Sequence, residues 1–101
     1  MKKDIFDEYA SSVARKFNIT KAELFSKSKR QDIVDARQML YYLCYNRPMQ
    51  PQLICRYMAR NGYDTAHTTI IRGVGAMEAK IKDDPDYANM ANKIDNTIAT
   101  I

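Results

Sequence analysis

Apolar side chains recur along this chain at three- and four-residue steps, and the recurrence breaks at a few polar or proline-bearing points. Ile5, Tyr9, Val13 and Phe17 stand every four positions, one stripe of an amphipathic helix over 5–17. Asp4, Asp7 and Glu8 lie at the end where the helix dipole favours negative charge, and Asn18 is a stop. Thr20 to Glu23 has the Ser/Thr-x-x-Glu form of a capping box, which predicts a helix of one or two turns carrying Leu24 and Phe25 inward. Ser26 to Gln31 holds no apolar residue and reads as an exposed basic loop, with Asp32 placed to cap the next helix. From Ile33, the positions Ala36, Leu40, Leu43 and Cys44 predict a longer, central helix that ends before Pro48. Pro51 suits the first turn of another helix, with Leu53, Ile54, Tyr57 and Met58 inward and Asn61-Gly62 closing it. Tyr63 to Ala66 is a short linker in which Asp64 and Thr65 are candidate N-caps. His67 to Lys82 carries Ile70, Val74, Met77 and Ile81 on one stripe, until Asp83-Asp84-Pro85 interrupts it. Tyr87, Met90, Ile94, Ile98 and Ile101 repeat the helical step in a last segment that packs back on the body.

The expected fold is therefore all-α, a compact bundle of about six helices forming one domain over 1–101. Composition agrees: 46% hydrophobic and 28% charged residues argue for a soluble globular chain and against disorder. Only 3 Gly and 3 Pro are too few for the many turns of a small β-sandwich or barrel. Cys44 and Cys55 sit inside apolar patterns and read as core thiols of a reducing compartment. His67 is the single histidine, which leaves no ligand set for structural zinc, and no metal or cofactor is expected. No apolar run reaches eighteen residues, and Met1-Lys2-Lys3 leads into Asp4 rather than an apolar signal core. The expected location is the cytoplasm, with no membrane partner.

The net charge of +4 conceals an asymmetry. Through Arg60 there are twelve Lys and Arg against six Asp and Glu, and beyond it four against six. The basic side chains gather at Lys27, Lys29, Arg30 and Arg37 and again at Arg47, Arg56 and Arg60, a distribution that suits a polyanion. Two helices of about ten and fifteen residues joined by a short polar turn form the pattern of a helix-turn-helix. In that motif the second helix enters the major groove and its first residues meet base edges. Those residues here are His67, Thr68 and Thr69. A threonine methyl packs on a thymine methyl while its hydroxyl bonds a base or phosphate, and histidine donates to a guanine or phosphate acceptor.

The runs Val13 to Ile19, Glu23 to Arg30, Ala36-Arg37-Gln38-Met39 and His67-Thr68-Thr69, in this order and with nearly unbroken spacing as far as Met39, resemble the C-terminal DNA-binding domain of the bacterial replication initiators of the DnaA family. The similarity covers most of residues 10 to 82. It implies a helical fold related to the Trp repressor and binding to a short duplex box. The resemblance places Lys29 or Arg30 where a loop side chain enters the minor groove, Arg37 and Gln38 at an Arg-Gln pair beside phosphates, and His67, Thr68 and Thr69 at the residues that read the major groove. The chain departs from the pattern at Ala66, where the family is acidic, in a longer segment between the two helices, and at Asp32 and Asp35.

No G-x-x-x-x-G-K loop occurs, so the nucleotide-binding part of such an initiator is not among these residues and no nucleotide partner is expected. The expectation is a freestanding module of the kind a phage or mobile element encodes. Gly73-Val74-Gly75 lacks the third glycine of a dinucleotide fingerprint and points instead to a close approach by another backbone. Catalysis has no support: Asp83, Asp84 and Asp86 flank Pro85 in an exposed turn, where perturbed carboxylates are hard to sustain. The expected function is duplex DNA binding, with the helix from His67 in the major groove, the loop Lys27 to Arg30 on backbone or minor groove, and Arg37, Gln38 and Arg72 on phosphates. A different class fits the weak overall charge, the seven tyrosines and the C-terminal stripe of Ile94, Ile98 and Ile101: an assembly protein, such as a phage particle component, that reuses the fold for self-association.

Overall fold

In a computed structural model, which describes residues 2–98, six helices succeed one another: α1 (Lys2–Lys16), α2 (Lys21–Leu24), α3 (Gln31–Tyr45), α4 (Pro51–Arg60), α5 (His67–Asp83) and α6 (Pro85–Ile98). The helix boundaries carry the local signals that end and start helices. Asn18 adopts φ 57°, the left-handed conformation asparagine tolerates, and the Ile19 N–H reaches back to the Ala14 carbonyl at 2.9 Å. The Thr20 hydroxyl accepts from the Glu23 N–H at 3.0 Å while the Glu23 carboxylate accepts from the Thr20 N–H at 2.9 Å, a complete capping box. That N–H is the main reason the Glu23 carboxyl is held below its ordinary pKa. Gly62, at φ 85°, closes α4 as Tyr63 N–H bonds the Met58 carbonyl.

Two capping expectations are corrected. α3 begins at Gln31 behind Arg30, so Asp32 lies inside the first turn, where it accepts from the Arg30 guanidinium and the Ile33 N–H. α5 begins behind Ala66, with no side-chain cap, so neither Asp64 nor Thr65 caps it.

α3 is the hub. It packs against all five other helices, most extensively α5, and buries Ile33, Ala36, Met39, Leu40, Leu43 and Cys44. This one core also takes Phe6, Tyr9 and Val13 from α1, Ile54 and Met58 from α4, and Ile70 and Met77 from α5. Ile94 and Ile98 of α6 join it at 1% exposure each, so these two residues of the C-terminal stripe are spent inside the molecule; Ile101 lies outside the described residues. Three of the seven tyrosines, Tyr9, Tyr41 and Tyr57, are buried, and Tyr45 is the exposed one. Cys44 is fully buried, which pushes its thiol pKa up, and Cys55 is half-buried; both are free thiols.

The helices are joined by polar contacts as well as core. Asp35, 8% exposed, accepts from Gln31 Nε2 at 2.8 Å, Lys80 Nζ at 2.7 Å and the Tyr87 hydroxyl at 3.0 Å, tying α3 to α5 and α6. At the other end of α6, Asp95 accepts from the Tyr9 hydroxyl at 2.7 Å, and burial together with that carboxylate pushes the phenol up to about 12.

Candidate nucleic-acid interface

α4, the turn 61–66 and α5 form the helix-turn-helix, and the core side chains of α5 decide how it is presented. Ile70, Val74 and Met77 face inward. Gly73 lies so close to α3 that a Cβ there would stand 2.8 Å from Tyr41 Cδ2. What approaches Gly73 is thus the Tyr41 side chain and not the expected backbone, whereas a Cβ at Gly75 meets nothing within 4 Å. With the inward face committed, His67, Thr68 and Thr69 stand exposed on the first turn. The Thr69 N–H is taken by the Ala66 carbonyl, and no side chain caps the turn, so its outermost N–H groups point at solvent beside these three side chains.

The basic loop docks next to that turn. Lys27 Nζ donates to the Asp64 carbonyl at 3.3 Å and lies 4.8 Å from the Tyr63 ring centre. The Arg37 guanidinium lies 4.9 Å from the same ring. Tyr63 thus gathers two cations, one from the loop and one from α3, at the entrance to α5.

Arg37 is the one buried residue among the nine expected. It is only 7% exposed, and its Nε and Nη2 donate to the carbonyls of Leu24, Ser26 and Ser28 at 3.1, 2.8 and 2.5 Å. The Nε and Nη2 donors are thus used inside the molecule, where they shape the loop. The planar fork of guanidinium donors makes this arrangement accessible to arginine and not to lysine. Arg30 is also engaged: Asp32 holds its Nε at 2.7 Å and Glu23 its Nη2 at 3.4 Å. Lys29 is exposed and has no ion-pair partner among the described residues.

Between α3, α5 and the turn lies an open cleft of about 290 Å³, lined by Arg37, Gln38, Thr69 and Arg72 together with Tyr41 and Tyr63. Four of the nine expected site residues meet here. Gln38 is only partly available, since its carboxamide oxygen accepts from Lys80 Nζ at 2.7 Å. Arg72 is exposed at the rim. Lys27, Lys29 and Arg30 lie across the turn on the loop, and His67 and Thr68 stand on the outer side of α5. Sequence reasoning missed Tyr63, whose only signal was an aromatic residue directly after the Asn61-Gly62 helix stop.

The family model described as the bacterial DnaA protein helix-turn-helix matches residues 7–76. The chain belongs to this family. Family membership implies DNA binding, and the matched stretch takes in the basic loop, α4, the first turn of α5 and the Arg37–Tyr63 joint. A similar protein is the chromosomal replication initiator protein DnaA of Spiroplasma citri, 30% identical over 82 residues. That alignment covers 81% of this chain but 18% of the relative, so the chain spans less than a fifth of that initiator. Among the described residues no helix is long and apolar enough to cross a membrane.

Proposed function

We propose that this chain binds duplex DNA in a sequence-directed way, with the first turn of α5 in the major groove and the loop 27–30 on the adjoining backbone or minor groove. The observation that carries this reading is the docking of the basic loop on the turn that leads into α5, through Lys27 on the Tyr63 ring and on the Asp64 carbonyl. A single face then offers a positive loop, uncapped helix N–H groups and side chains able to read base edges. Arg72 contacts phosphate from the rim of the cleft, Lys29 supplies the loop's cation, and Arg37 and Tyr63 act indirectly by holding the loop in place.

Fluorescence-anisotropy titrations of random-sequence and initiator-box duplexes at two salt concentrations test this, with particle mass recorded on the same samples. Salt-dependent binding with a preference between duplexes is the expected result. His67→Ala and Thr68→Ala reduce that preference by about 1–3 kcal/mol, and Lys29→Ala weakens binding to all sequences while lowering the salt slope by about one. A chain that fails to bind at low salt and forms a large discrete oligomer is an assembly protein instead, and the proposal is wrong.

A further inference from the structure

A second cleft shares no side chain with the surface proposed for the duplex. It holds about 310 Å³ and is lined by Lys3 and Asp7 of α1, Lys21 of α2, Tyr57 and Arg60 of α4, and Asn61 just beyond. Its charge is unbalanced. Lys3 is paired with Asp7 at 3.0 Å, whereas Lys21 and Arg60, both exposed, have no ion-pair partner among the described residues. Three cations from three helices thus meet one carboxylate, an excess of two positive charges. Gathering like charges does not help a chain to fold, and an exposed pair such as Lys3 with Asp7 contributes little.

The cleft also has a rigid polar wall. Tyr57 is 9% exposed, its ring centre 5.3 Å from that of Phe6 and 5.7 Å from the Arg60 guanidinium. Its hydroxyl has no hydrogen-bond partner among the described residues, yet no buried polar side-chain atom among them lacks one, so this hydroxyl opens on the cleft that its residue lines. The carbonyls ending α4 are already occupied: that of Tyr57 accepts from Asn61 Nδ2 at 2.9 Å, and those of Met58 and Ala59 accept from the N–H groups of Asn61 and Gly62. What remains for a ligand is an ammonium, a guanidinium and a phenol hydroxyl, all able to donate.

Charge and size then select the ligand. A phosphate ion or phosphate monoester carries about two negative charges near neutral pH and several strong acceptor oxygens. A carboxylate or a phosphodiester carries one charge and leaves the excess half-neutralised. The volume lies at the small end of ligand sites, room for a phosphate group with a small organic body. We infer that the cleft between α1, α2 and α4 binds a phosphate dianion, free or as the terminal group of a small monoester, held by Lys21, Arg60 and the Tyr57 hydroxyl. This site is independent of the duplex-binding reading.

The test follows amide chemical shifts of the whole chain by NMR at constant ionic strength, with inorganic phosphate, methyl phosphate and dimethyl phosphate as probes. Saturable shifts around Lys3, Lys21 and Arg60 are expected with at least one of the first two, and the stronger of these tells a free ion from a monoester. Dimethyl phosphate, with its single charge, produces none. Arg60→Gln and Lys21→Gln each weaken binding by about tenfold, and Tyr57→Phe, which keeps the ring on Phe6, by about fivefold. Asp7→Asn removes the opposing carboxylate and tightens binding, a gain that misfolding cannot imitate. Arg56→Gln, on the exposed side of α4 outside the cleft, changes nothing. Shifts that grow without saturating overturn the inference, as does an equal loss in Arg56→Gln and Arg60→Gln. Dimethyl phosphate binding as well as methyl phosphate also overturns it, and makes the cleft one more contact for a nucleic-acid backbone.

Discussion

Two residues apart on α3, Asp35 and Arg37 are both buried charges, and the molecule neutralises them in different ways. Asp35 receives three side-chain donors from α3, α5 and α6. Arg37 gives its donors to three main-chain carbonyls of the segment 24–28. Helices satisfy their own backbone groups, so a joint between helices is made by side chains. The segment after α2 has no such ladder, and its carbonyls need a donor from elsewhere. The shape of the candidate DNA-contacting loop therefore depends on a residue that itself faces inward.

Breaking the Arg37 joint has the largest expected effect. Arg37→Ala leaves three carbonyls without their donor and lowers stability by roughly 3 kcal/mol in urea unfolding, taking duplex affinity with it. Arg37→Lys recovers less than half of the loss, because one ammonium on a flexible stem cannot reproduce the fork. A variant as stable as the parent would show that the loop holds its shape unaided.

The Asp35 joint is weaker because Lys80, with 31% of its side chain exposed, can turn to water when its partner is removed. Asp35→Ala costs about 1–2 kcal/mol. Burial alone would raise the Asp35 carboxyl, but hydrogen bonds from Lys80, Gln31 and Tyr87 outweigh it and hold the pKa below the usual carboxylate value. A depressed folded-state pKa contributes stability above the unfolded value of about 4 and loses it as the pH falls through the folded one. Wild-type stability thus declines on acidification below about pH 4, and the Asp35→Asn curve is flatter across that window. Equal slopes would remove Asp35 as a source of acid sensitivity.

The smallest effects come from the two glycines of α5, and they have opposite signs. Gly75→Ala raises stability by about 1 kcal/mol, the helix propensity gained where nothing crowds the new methyl. Gly73→Ala lowers it by about 1 kcal/mol, because the strain of a methyl against the buried Tyr41 ring exceeds the same propensity gain. Thermal melts of both variants check the pair, and a stabilised Gly73→Ala would mean that α3 and α5 separate more easily than their packing suggests.

The sequence by itself determined the helices, the capping box at Thr20, the stops at Asn18 and Gly62, and the placing of His67, Thr68 and Thr69 at the start of α5. Each of these comes from interactions within about one helical turn, where spacing along the chain is also spacing in space. Only the tertiary structure decided which charges remain available. Arg37 finds its acceptors 9 to 13 residues away, Asp35 meets Lys80 across 45, and Tyr63 joins Lys27 to Arg37 from the far side of α4. Periodicity gives the face on which a long polar side chain begins, but its end travels several ångströms to whatever group burial has left unpaired. Arg37 and Lys29 look alike in the sequence for that reason, and folding makes one an internal brace and leaves the other on the surface.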